Sequence, residues 1–106
     1  MAEQSQYQRD TFLHAVDDIN MSIARIVERY QSWSEFVGFV QRMKAHEEQH
    51  NDGSARSLAK QAFIRELEIY TILKDSRLVK SQIDEKVKAL LLEIEALRDE
   101  AQQKAR

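Results

Sequence analysis

The chain has 106 residues, no cysteine, no proline, two glycines, and 16 Lys and Arg against 18 Asp and Glu, a formal net charge of −2. These figures exclude disulfide, thiolate and Cys-ligated metal chemistry, fit a reducing compartment, and leave no overall field to gather a phosphate backbone. Charged residues make up 32% of the chain, which together with the missing proline is the composition of a helical bundle. One domain over residues 1–106 accounts for the length.

The N-terminal stretch Met1–Asp10 has neither the basic nor the apolar region of a secretory signal, and no run approaches the ~20 apolar residues of a membrane span, so a cytoplasmic location is expected. Ser5 and Gln8 have capping-box spacing, and Phe12, Val16, Ile19, Ile23, Ile26 and Tyr30 recur in steps of three and four, which predicts a first helix over 6–30. The same register continues through Trp33, Val37 and Val40, while Ser32 and Glu35 repeat the capping-box spacing. The residues therefore permit either one continuous helix or a break near Gln31–Ser34 followed by a second helix over 33–50. Trp33, Phe36, Val37 and Val40 are read as core. Phe39 points away from Val37 and is a candidate partner-binding aromatic.

His46-Glu47-Glu48-Gln49-His50 matches H-E-x-x-H, in which two histidines one turn apart hold zinc and the glutamate activates water. A zincin also needs a third ligand, for which Glu66 and Glu68 are downstream candidates, and a substrate-binding strand, which nothing in the sequence predicts. Glu47 and His50 have the E-x-x-H spacing of di-iron bundles, but no later histidine supplies the second pair. His46 and His50 are thus weak metal candidates, and no cofactor is assigned. The neighbouring acids Asp17 and Asp18, Glu47 and Glu48, and Asp99 and Glu100 point about 100° apart on a helix and do not converge, so no enzyme is expected.

Asn51-Asp52-Gly53-Ser54 supplies a left-handed cap and a new N-cap, and the chain is expected to reverse there. The predicted third helix, 55–74, is apolar around most of its circumference. Four helices from so short a chain are not expected to enclose one of their own, so Ile64, Ile69 and Ile72 are read as partner-facing. Lys74-Asp75-Ser76-Arg77 lacks apolar residues and offers Asp75 or Ser76 as the cap of a last helix over 77–103. That helix carries Ile83, Val87, Leu90, Ile94, Leu97 and Ala101 on one stripe, with Leu92 well outside it.

The expectation is an all-α antiparallel helical bundle or hairpin of three to four helices with coiled-coil-like heptad packing. It would act as a non-enzymatic protein–protein interaction module, an adaptor, inhibitor, chaperone or small structural subunit, through Phe39, Ile64, Ile69, Ile72 and Leu92, with a homodimer as the leading assembly. Two alternatives are a nucleic-acid-associated accessory protein using basic turns such as Lys74, Arg77 and Lys80, and, third, a zinc-dependent hydrolase at the HEEQH segment. No membrane or small-molecule partner is expected.

Overall fold

The structure is a computed structural model that describes the backbone of residues 2–105 and the side chains of residues 12–105. It is all-helical, with α1 (Ala2–Val27), α2 (Trp33–His50), α3 (Ala55–Leu73) and α4 (Lys80–Ala105), and there is no strand among the described residues. No helix is long and apolar enough to cross a membrane among the residues searched.

The break between α1 and α2 is real. The Arg29 and Tyr30 N–H groups donate to the Ile26 and Val27 carbonyls and tighten the end of α1. Ser32 then caps α2: its hydroxyl accepts from the Glu35 N–H at 3.1 Å while the Glu35 carboxylate accepts from the Gln31 N–H at 3.2 Å. The first bond satisfies a donor that a helix start would leave orphaned, and the second ties the chain just ahead of the cap to the first turn. The uninterrupted apolar register across residues 27–33 therefore spans two separate helices. At the other end α1 already runs from Ala2, ahead of the expected start at Ser5; the Ser5–Gln8 side chains lie outside those described.

The second reversal follows the turn chemistry of its residues. Gly53 sits at φ +74°, which an L side chain adopts only with strain, and its N–H donates to the Asn51 side-chain oxygen at 3.0 Å. Ser54 caps α3 by accepting from the Ser57 N–H at 3.2 Å. Between α3 and α4 the Asp75 carboxylate takes the Arg77 N–H and guanidinium, and the Val79 N–H donates to Gln82. Neither Asp75 nor Ser76 caps α4, which begins at Lys80, three residues later than expected.

Helix α3 is the hub. Among the described residues it packs against each of the other three helices, most extensively against α4, whereas direct contacts between those three are sparse. Arg65 and Glu66 reach Glu93 and Arg98 on α4, and Glu68 and Ser57 reach Lys44 and Glu47 on α2. Ile64 is 3% exposed and Ile69 is fully buried, with Leu67 fully buried between them. The expectation that Ile64 and Ile69 need a partner to leave water is corrected by this arrangement. Three surrounding helices are enough, because the exposed positions of α3 are confined to Arg56, Ala59 and Lys60 in its first turns, while Arg65 and Glu68 are half-buried and bridge to α4 and α2.

The chain is flat: its extents are 44 × 40 × 22 Å and its radius of gyration is 15.0 Å, above the roughly 13 Å of a compact domain of this length. A thickness of about two helices follows from the hub arrangement, since α1, α2 and α4 each lean on α3 with one face and turn the other outward.

Candidate interaction surface

The aromatic residues converge where the α1–α2 turn meets the start of α2 and the end of α3. Phe36 is fully buried at the centre of the group. Tyr30 and Tyr70 lie edge-on to it, with ring centroids 5.9 and 6.0 Å away, and Trp33 is tilted against it at 5.5 Å. Trp33 also lies 6.0 Å from Tyr70, so one face of the indole is fixed by α2 and α3 together. Trp33 is nonetheless 42% exposed, which corrects its reading as a core residue. The physical reason is the helix start. Trp33 is the first residue of α2, beside Ser32, where no preceding turn covers it, and the inward stripe of α2 is instead Phe36, Val40, Met43 and Glu47.

Trp33 lines an open groove of about 670 Å³ with Val37 and Ile72, the polar Ser34, Thr71 and Ser76, and the charged Lys74, Asp75 and Arg77. Lys74 extends its ammonium 5.3 Å from the centroid of the Tyr70 ring. Arg77 is turned back onto Asp75, donating to both carboxylate oxygens at 3.0 and 3.1 Å. The hydrogen bonds from the Arg77 side chain and then its backbone N–H hold the Asp75 carboxyl below the usual carboxylate range. A depressed pKa contributes stability above the ordinary carboxylate range that is lost as pH falls through the depressed value. In Asp75→Asn, the loss of melting temperature on acidification below about pH 4 is expected to be smaller than in the wild type, measured by circular dichroism. Glu66 runs the opposite way. Desolvation raises its pKa against the pull of Arg98, so its contribution to stability is present in acid and is lost as pH rises through the raised value.

The remaining candidates separate. Ile72 is half-buried and lines the groove. Phe39 is half-buried with its ring 5.3 Å from Tyr30, on another flank of α2. Leu92 is 68% exposed, on the outer side of α4. The five residues therefore do not form one patch, and Ile64 and Ile69 present no surface. Trp33 and Lys74 were the signals to combine: an aromatic at a capped helix start and a cation just past a helix end, close only through the fold.

The HEEQH segment is not arranged as a zincin. Glu47 is 6% exposed and its carboxylate accepts from the Ser57 hydroxyl, a contact that ties the end of α2 to the start of α3. It is a buried bridge between the two helices. Among the described residues searched, no three His, Asp or Glu side chains gather as a metal cage. His46 and His50 are exposed and stack on each other.

No protein-family model, curated relative or solved structure matches the chain. The residues and their geometry therefore carry the functional reading.

Proposed function

We propose that the chain is a non-enzymatic protein–protein interaction module that receives an apolar segment of a partner protein in the Trp33 groove. The observation that carries this reading is Trp33 itself: a large aromatic braced by Phe36 and Tyr70, yet 42% exposed, and lining a groove with Val37 and Ile72. Rigid, half-exposed aromatics in pockets are the side chains that anchor interfaces. Lys74 at the rim suits an acidic residue on the incoming segment. Arg77 is already matched by Asp75, which weakens the alternative of a basic nucleic-acid patch made of Lys74, Arg77 and Lys80.

The exposed area supports the same reading. The chain exposes 7948 Å² at a mass of 12.4 kDa, against about 6,100 Å² for a compact monomer of that mass. The excess of about 1,800 Å² is more than the roughly 800 Å² that one partner loses in a standard protein–protein complex. In this reading α3 and α4 form an antiparallel, coiled-coil-like hairpin that serves as the rigid frame. Its support is that Gly53, before α3, is held by Lys104 near the end of α4, and that Val87 and Ile94 of the heptad stripe are buried against the hub.

The test is affinity purification from the native host with wild type, Trp33→Ala and Leu92→Ala. Trp33→Ala is expected to lose the specifically recovered protein by tenfold or more, since an anchor residue contributes about 2 kcal/mol or more, while keeping its helical circular dichroism. Leu92→Ala is expected to recover it as wild type does. Equal recovery with Trp33→Ala and the wild type would remove the groove as the binding site.

A further inference from the structure

We propose that Asp52-Gly53, in the reversal between α2 and α3, is a latent modification site where aspartate isomerises to isoaspartate once the turn opens. The folded turn restrains the reaction, and Asn51 is the residue that holds it closed. The site is separate from the Trp33 groove and does not rest on it. In the first step the Gly53 nitrogen gives up its proton and bonds to the Asp52 side-chain carbon Cγ, which gives up a hydroxyl. Proton and hydroxyl leave as one water. Water then reopens the five-membered imide. Cleavage at Cγ restores aspartate. Cleavage at the Asp52 backbone carbonyl leaves the main chain running through Cβ and Cγ, one atom longer, with a free α-carboxylate. Nothing is oxidised or reduced, and solvent water is the only co-reactant.

The turn combines the means for this reaction with the restraints on it. Asp52 is exposed and stands outside both helices, so water reaches its carboxyl. Gly53 has no side chain to screen its nitrogen, and its φ of +74° disfavours any residue that would. Against this, the Gly53 N–H donates to the Asn51 Oδ1 at 3.0 Å, which retains the proton that must leave. The Ser54 N–H donates to the Asp52 Oδ1 at 3.0 Å and turns the carboxylate toward the following peptide. Hydrogen bonds from the Ser54 hydroxyl and then its backbone N–H also hold the Asp52 carboxyl below the usual carboxylate range. It therefore stays ionised, and an ionised carboxylate has no hydroxyl to lose. Local opening of so short a turn releases these bonds together. The outcome matters for the fold, because the Gly53 carbonyl accepts from Lys104 of α4 and the Ser57–Glu47 bridge follows one turn on. An extra main-chain atom at residue 52 displaces these contacts, so the isomerised chain is expected to melt lower.

The experiment incubates the full chain in warm neutral buffer, native and in guanidinium chloride, beside Asn51→Ala and Asp52→Glu. Isoaspartate is counted by peptide mapping with electron-transfer fragmentation, which separates the isomers although their masses are equal. Wild type is expected to convert slowly when native and faster when denatured. Native Asn51→Ala should convert about fivefold faster than native wild type, the factor by which one ordinary hydrogen bond shifts an equilibrium. Denatured, the two should convert alike. Asp52→Glu, whose longer side chain would have to close a six-membered ring, should show no conversion at this position. Equal rates for native and denatured wild type, or native Asn51→Ala no faster than native wild type, overturns the proposal. Circular dichroism checks that Asn51→Ala is folded, and a second measurement needs no variant. In the wild type, guanidinium chloride below the unfolding transition should raise Gly53 amide exchange and isoaspartate formation by the same factor, since both require the open turn. Faster exchange without faster isomerisation contradicts the mechanism.

Discussion

Replacing Phe36 by alanine is expected to destabilise the protein by about 3–5 kcal/mol, the range for deleting a buried aromatic ring. Phe36 has no exposure, and its ring is the common neighbour of Tyr30, Trp33 and Tyr70. Those three come from the α1–α2 turn, the start of α2 and the end of α3. The cavity would therefore open at the junction of three elements, where collapse of one cannot fill it. Each lost aromatic pairing adds about 0.5–1.5 kcal/mol to the area term. Domains are stable by only about 5–15 kcal/mol in total, so the variant should stand near the edge of unfolding. Its midpoint in urea should fall steeply with the slope unchanged. A loss below about 1 kcal/mol would show that the aromatic group is not part of the cooperative core.

The second large effect separates the hub helix from the surface. Ile69→Ala is expected to cost about 2–5 kcal/mol and Leu92→Ala no more than about 0.5 kcal/mol. Ile69 is fully buried within its own chain, whereas Leu92 is 68% exposed. The two assays that matter are the unfolding free energy and its dependence on protein concentration. If α3 were covered only by a second copy, the wild-type melting temperature would climb with concentration and Ile69→Ala would abolish that climb. Coverage by α1, α2 and α4 instead gives a large loss for Ile69→Ala at every concentration.

These contrasts also mark how much was legible in the residues. Helices α2 and α3 are readable almost to the residue because their ends carry explicit signals: Ser32 with Glu35, the Asn51-Asp52-Gly53 turn, and Ser54. The α3–α4 connection is less so, since Asp75 serves Arg77 and the true helix start at Lys80 has no side-chain cap of its own type before it. The heptad register gives the correct faces of α1 and α4, where Ile19, Ile23, Val87 and Ile94 are buried. It misleads at Trp33, because periodicity is blind to a chain turn that happens to preserve it.

The burial of α3 depends on where three other helices go, which is a property of the tertiary arrangement and not of any one stretch of chain. An all-round apolar helix says only that several neighbours are needed, not whose they are. The candidate site was legible in its parts alone. Ile72 was recognised, but Trp33, Val37, Lys74 and Asp75 come together only through the contact between the start of α2 and the end of α3.

Trp33 is the single tryptophan of the chain, so tryptophan emission from this chain reports on the groove and on the aromatic group beside it. The most direct measurement is its emission and acrylamide quenching while the recovered partner is titrated in. A partner seated over the indole shifts the emission to the blue and shields it from quencher in proportion to complex formed. Complex formation with the emission and quenching unchanged would place the partner elsewhere and contradict the account.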